Sequence, residues 1–216
     1  MNYADIRQQV IDGCLSIQRK GLIRGTSGNI SVRGGDGVVM AISPSGIPYE
    51  ELTQDMIPVL DLSGHPVDEY GRKPSSELPM HLAVMKARPD VGAVVHTHSR
   101  FSTIIGILGE ELPVLTIPLM FYAPNPAPIA PFELPGSAEL GEGVVQYLGN
   151  GHAVIMEHHG LLTVGTTIEE AITCSEYIEE GAEIAYYCRL ATGSYPAIPE
   201  DKVNEMLRIL DSGRTL

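Results

Sequence analysis

Two apolar runs in this chain end in histidines. Residues 91–95 lead into His96-Thr97-His98, and residues 153–156 lead into His158-His159-Gly160. Each run has the length and composition of a buried strand. Residues two apart on a strand share a face, so the imidazoles of His96 and His98 can approach one cation together. Neighbouring residues face opposite ways, so one of His158 and His159 can join them. Taken alone, a His-x-His pair fits either a metal site or two buried imidazoles with satisfied hydrogen bonds. Three neutral imidazoles with an open position form a known catalytic zinc arrangement, in which the ion acts as a Lewis acid on a carbonyl. Of the other histidines, His65 and His152 lie in polar turns and are read as surface residues, and His81 as a helix-packing or supporting group outside the metal set.

A carboxylate is the fourth element. Glu77 closes Lys73-Pro74-Ser75-Ser76-Glu77 at a predicted helix start. There it fits either a capping acid or a group that touches the metal and moves a substrate proton. Three short segments are rich in glycine and hydroxyl residues: 25–29 (Gly-Thr-Ser-Gly-Asn), 43–46 (Ser-Pro-Ser-Gly) and 74–76 (Pro-Ser-Ser). None matches the P-loop or the dinucleotide fingerprint. Each alone reads as a turn. Together they offer short donors, close backbone approach and a helix N-terminus, which suits a phosphate monoester.

The surrounding pattern is mixed. Ile6, Val10, Ile11, Cys14 and Leu15 fall on one face of a first helix. Strands are predicted over 29–32, 38–43, 56–60, 92–97, 114–117, 153–157 and 161–164, with 34–37 (Gly-Gly-Asp-Gly) as a hairpin turn. Helices are predicted from Ser75 or Ser76 to Arg88, and over 101–108, 136–148, Thr166 or Thr167 to 190, and 200–210. The proline-rich stretch 123–135 reads as a stiff loop. Regular strand–helix–strand alternation is missing, so an antiparallel or mixed sheet is preferred over a doubly wound one.

Composition narrows the function. A formal net charge of -13 argues against nucleic acid and for a small, local anion site. The N-terminus lacks the pattern of a signal peptide, and no apolar run approaches the roughly 20 residues of a membrane helix. Three cysteines without a paired spacing fit buried thiols in a reducing compartment, hence the cytoplasm.

In order, the segments GTSGNISVR at 25–33, ISPSGIPYE at 42–50, KPSSE at 73–77, VVHTHS at 94–99 and EHHGLLTVG at 157–165 resemble the class II aldolase/adducin family, in particular its fuculose-phosphate aldolase branch. The resemblance implies a single α/β domain over 1–216, with a mainly antiparallel central sheet flanked by helices, assembled as a homotetramer with interfacial active sites. It implies that His96, His98 and His159 ligate Zn2+. Glu77 falls on the acid/base carboxylate and a possible fourth ligand. Asn29, Ser45, Gly46, Ser75 and Ser76 fall on phosphate-binding positions, with Thr26 and Gly28 shaping that loop. The implied reaction is retro-aldol cleavage of a ketose 1-phosphate between C3 and C4. Zinc holds the charge of the resulting enediolate and Glu77 carries its proton, releasing dihydroxyacetone phosphate and an aldehyde.

Two departures shape the substrate expectation. The family's two active-site tyrosines fall here on Ile117 and on the segment around Ser212 and Gly213, which holds no tyrosine. The segment 117–122 is apolar. An aldehyde half with few hydroxyls follows, as in a 5-deoxypentulose 1-phosphate or 5-methylthioribulose 1-phosphate. A ribulose-phosphate 4-epimerase, a dehydratase or a decarboxylase of the same family are the alternatives, as is an adducin-like binding module. The epimerase and the dehydratase each need an acid in a stretch where no acid occurs between Glu111 and Glu133. A binding module has no need of three histidines and Glu77.

Overall fold

A computed structural model describes residues 3–212, so Gly213 lies outside the described residues. The elements run α1 (Ala4–Arg19), β1 (Asn29–Arg33), β2 (Val39–Ile42), β3 (Val59–Asp61), α2 (Leu78–Ala87), β4 (Ala93–Thr97), α3 (Arg100–Leu108), α4 (Ile117–Tyr122), β5 (Ile129–Ala130), α5 (Ala138–Leu148), β6 (Ala153–Met156), β7 (Gly160–Gly165), α6 (Ile168–Thr192) and α7 (Glu200–Asp211), with 3-10 turns at Tyr49–Glu51 and Gln54–Met56. The strands form one seven-stranded sheet, ordered β3-β2-β1-β4-β7-β6-β5. Every described pairing is antiparallel except β5 with β6.

Alternation along the strands buries apolar side chains on both faces of the sheet. Ile30, Val32, Ala93 and Val95 point to the side covered by α1 and the start of α6. Val94, Leu162 and Val164 point to the side covered by α2 and α5, where they meet Met80, Val84, Leu140 and Val144. Side chains of this size stabilise by roughly 1.5–3 kcal/mol each when buried. The alternation also decides the site. Asn29 and Ser31 lie between the α1-facing residues of β1, and His96 follows Val95 on β4, so all three face α2. Register puts Asn29 directly opposite His96, and His96 opposite Leu162.

Two expectations are corrected. Residues 114–117 form no strand. Thr116 accepts the Leu119 N–H and Pro118 sits in the first turn, so the chain enters helix α4. This is the ordinary start signal of a helix. His152 is half-buried rather than on the surface. Its carbonyl accepts the Val164 N–H at 2.9 Å, which draws the residue in beside the sheet. Its ring Nδ1 is buried without a hydrogen-bond partner. His65 is exposed, as read. The hairpin at 34–37 joins β1 and β2, with Arg33 opposite Met40.

Candidate metal and phosphate site

The ends of β4 and β7 and the start of α2 converge on one point. One ligand atom from each of Glu77, His96, His98 and His159 lies within 4.8 Å of the others. The imidazole centroids are spaced almost equally, at 4.8, 4.9 and 5.0 Å.

The turn between β6 and β7 selects His159 over His158. His159 N–H donates to Met156 O at 3.1 Å, and His158 takes φ 54°, a left-handed conformation uncommon outside glycine. That twist turns His159 inward. It leaves His158 exposed, with its ring centroid 6.4 Å from that of Phe132 and the two planes near perpendicular at 74°.

Glu77 occupies the N-cap position of α2, but its side chain makes no capping bond there. Its carboxylate points into the histidines. Oε1 lies 3.0 Å from His159 Nε2, Oε2 lies 3.0 Å from His96 Nε2, and Asn29 Nδ2 donates to Oε2 at 2.8 Å. Burial raises the carboxyl's proton affinity. Positive charge placed among the facing histidines and the donor on Asn29 outweigh that, so the net direction is downward and Glu77 stays ionised.

The fit to a cation rests on His96. Its Nδ1 lies 2.9 Å from Leu161 O, and a carbonyl oxygen only accepts, so Nδ1 carries the hydrogen. Nε2 is fully buried, has no hydrogen-bond partner and faces the Glu77 carboxylate. A lone pair set against a carboxylate oxygen calls for positive charge between them. Three imidazoles and a carboxylate are a donor set that a divalent ion accepts. His98 is held down to about 4, chiefly by burial, with Glu77 opposing. It is therefore neutral near pH 7 and its lone pair is available.

An open cavity of about 420 Å³ adjoins this cluster. Thr26, Gly28, Asn29, Ser45, Gly46, Ser75 and Ser76, all expected at an anion site, line it together with Glu77, His98 and His159. Asn29, Gly28 and Ser75 are buried, while Thr26, Ser45, Gly46 and Ser76 are exposed. Close approach explains Gly28: a Cβ there would lie 2.9 Å from His96 O and 2.7 Å from Ile23 Cγ2. Tyr49 fastens the same loop from beneath, its hydroxyl donating to Gly28 O at 2.5 Å. Loops 43–46 and 73–76 are tied by Ser45 N–H to Lys73 O at 2.9 Å and Ser75 N–H to Ser43 O at 3.0 Å. Sequence reasoning did not anticipate the wall of Phe132, Pro135 and His158, apolar at its first two residues. It credited segment 117–122 with that role. In the structure that segment is α4, which does not line the cavity: its Tyr122 stacks on Tyr177 of α6 at 5.2 Å.

Comparison with known proteins agrees with this architecture. Residues 8–186 match the family described as Class II Aldolase and Adducin N-terminal domain. An L-fuculose phosphate aldolase of Escherichia coli K12 is 36% identical over 202 residues, 94% of this chain and 92% of that protein. A 5-methylthioribulose-1-phosphate/5-deoxyribulose-1-phosphate aldolase of Escherichia coli O45:K1 is 34% identical over 215 residues, 100% of this chain and 98% of that protein. A solved L-fuculose 1-phosphate aldolase superposes with a TM-score of 0.90 at 29% identity, covering 98% of each chain. The chain belongs to the class II aldolase and adducin family, as one of its metal-dependent aldolases.

Proposed function

We propose that this protein is a zinc-dependent aldolase of the cytoplasm that cleaves a ketose 1-phosphate to dihydroxyacetone phosphate and an aldehyde. The observation that carries the reading is the unpaired His96 Nε2 facing Glu77 beside a cavity rich in small donors.

His96, His98 and His159 would hold the ion, with Glu77 close enough to join them. When bound, zinc supplies Lewis-acid stabilisation of negative charge on the ketose oxygens. Glu77 is ionised, so it can take the proton that moves during C3–C4 cleavage and return it to the triose product. Asn29 holds Oε2 and keeps the carboxylate aimed at the reacting carbons. Ser45, Gly46, Ser75, Ser76 and Asn29 would bind the phosphate, helped by the positive N-terminal end of α2. Thr26 and Gly28 shape the loop, and Tyr49 braces it.

Phe132 and Pro135 give the remaining wall an apolar character. By the family resemblance, Ile117 stands where a tyrosine is expected, and the segment around Ser212 and Gly213 holds no second tyrosine. These features favour an aldehyde half with few hydroxyls, as in 5-deoxypentulose or 5-methylthioribulose 1-phosphate, over fuculose 1-phosphate. Ile117, Phe121, Tyr187 and Leu190 are 50%, 47%, 56% and 66% exposed, a large apolar display for a lone chain. That display supports a homotetramer of single-domain chains (1–216) with active sites at subunit interfaces, where a neighbour's α4 can complete the cavity.

The test is release of dihydroxyacetone phosphate from a panel of ketose 1-phosphates and 5-phosphates by the zinc-loaded protein. Release from the deoxy and methylthio 1-phosphates is expected to exceed release from fuculose 1-phosphate. Epimerisation of a 5-phosphate without triose phosphate release would overturn the reaction class, and preference for fuculose 1-phosphate would overturn the substrate assignment.

A further inference from the structure

Behind Glu77 and Asn29 the row of buried polar groups continues into Ser31 and His81, which the reaction above does not use. Ser31 Oγ lies 2.7 Å from His81 Nδ1, and His81 Nε2 lies 2.5 Å from Asn29 Oδ1. Asn29 Nδ2 then lies 2.8 Å from Glu77 Oε2. Ser31 and His81 have no exposed surface, and Asn29 and Glu77 are 7% and 5% exposed.

Chemistry fixes the direction of every bond in this row. An ionised carboxylate only accepts, so Asn29 presents its NH2 group to Glu77. Its Oδ1 therefore faces His81, and Nε2 of that ring must carry the hydrogen. Nδ1 is then a lone pair, and the Ser31 hydroxyl donates to it. Burial holds His81 down to about 3 against the opposing charge of Glu77, so the ring is neutral as the row requires. An alternative with the Asn29 amide reversed would set Oδ1 against the Glu77 oxygen, acceptor against acceptor.

Packing alone does not account for these residues. His81 shares the buried face of α2 with Met80, Val84 and Met85, and Ser31 lies between Ile30 and Val32 on β1. Apolar side chains at both positions would fill the interface without polar atoms to satisfy.

We infer that His81 is a positioning residue: its Nε2–H locks the Asn29 amide with the NH2 group toward Glu77, and Ser31 locks the tautomer that makes this possible. His81 acts on the reaction only through Asn29. The inference rests on the reading of Glu77 as the acid/base group.

A double-mutant cycle on the zinc-loaded protein tests it, with kcat for triose phosphate release as the first readout. His81→Met is expected to lower kcat by about 10- to 100-fold, the usual cost of losing a group that orients a site residue. KM and zinc content stay near wild type. His81→Gln places an amide donor near the Nε2 position and is expected to recover most of the loss. In an Asn29→Ala background, His81→Met is expected to have no further effect on kcat. Losses that multiply in the double mutant, or a Gln variant as impaired as the Met variant, would overturn the inference. Should His81→Met fail to fold, Ser31→Ala removes only a hydroxyl and takes its place in the same cycle, with the same two outcomes. A neutron structure gives a readout independent of turnover: deuterium on His81 Nε2 and none on Nδ1 is expected, and the opposite tautomer overturns the inference. If wild-type protein shows that tautomer yet releases no triose phosphate, the proposed function fails while the hydrogen-bond row stands.

Discussion

The junction between β4 and β7 offers the most direct test of how the fold serves the histidines. Gly160 follows His159 and begins β7. A Cβ built there would lie 2.3 Å from Thr97 O and 3.3 Å from His98 Cα. Carbon and carbonyl oxygen approach to about 3.3 Å at closest, so Gly160→Ala must part the two strands by about 1 Å. The atom in the way is backbone, so no side chain can swing aside. Overpacking of this kind costs about 1–3 kcal/mol, and a chain of this size loses about 2–4 °C of Tm per kcal/mol. The larger effect falls on the metal. Ligand distances tolerate roughly 0.2 Å, and the shift separates His98 from His159 by several times that. Zinc affinity is therefore expected to fall by at least about 100-fold, beyond what losing a supporting hydrogen bond costs. Competition against a chromogenic chelator reads this directly. Gly35→Ala is the control, because a Cβ there meets nothing within 4 Å. Wild-type zinc affinity in Gly160→Ala would refute the claim that strand spacing sets the ligand geometry.

Three further outcomes follow from the same geometry. Glu179 on α6 accepts N–H from Phe101 and Ser102 and the Ser102 hydroxyl, each at 2.8 Å, and so anchors α3 two residues beyond His98. Glu179→Gln keeps the shape but loses the charge and turns an NH2 group toward a donor. A loss of about 2 kcal/mol is expected in urea unfolding at fixed protein concentration, and an unchanged midpoint would count against the anchor. Chelation is expected to abolish triose phosphate release and added zinc to restore it, with full turnover after exhaustive dialysis against chelator as the contrary result. In the metal-free protein, His81 binds its proton near pH 6.5 when unfolded and only near 3 when folded. Between those values the unfolded state holds the extra proton, so stability falls as pH falls, by about 1.4 kcal/mol per unit from this residue. Urea unfolding at pH 6.5 and 5 is expected to show a steeper loss for wild type than for His81→Gln, and equal slopes would contradict the assignment.

The sequence reports local features well and long-range partners poorly. Helix and strand periodicity located the main elements because each core face is contiguous in pattern, as in Ile30 and Val32 against Asn29 and Ser31. The His-x-His pair was legible because strand period places both rings on one face. The choice of His159 over His158 came only from the family resemblance and not from strand period, because it depends on the positive φ of His158, a tertiary compromise in a non-glycine residue. Segment 114–117 was misread because Thr116 and Pro118, the helix-start signals, lie inside an apolar run that otherwise suits a strand. The Glu77 carboxylate could be a cap or a ligand on local grounds, and only the crossing of α2 over β1 and β4 decides between them. The row from Ser31 to Glu77 was invisible for the same reason, since Ser31 and His81 meet across 50 residues of chain.

The two helices that start beside the histidines argue for one orientation of the substrate. Each helix N-terminus is a potential anion site through its unpaired N–H groups and its dipole. At α3 that potential is already used, because the Glu179 carboxylate takes the first N–H groups. At α2 the N-cap carboxylate of Glu77 turns away toward the histidines and makes no capping bond, and Ser75 and Ser76 open onto the cavity. A phosphate is repelled by Glu179 and attracted to α2. On the proposed function, a phosphate held there would bring the ketose oxygens beside His96, His98 and His159, and the remainder of the substrate would extend along Phe132 and Pro135. On this argument Glu77 serves twice. Its ionised group faces the histidines, and its departure from the cap position would leave the helix end free for the phosphate of the proposed substrate.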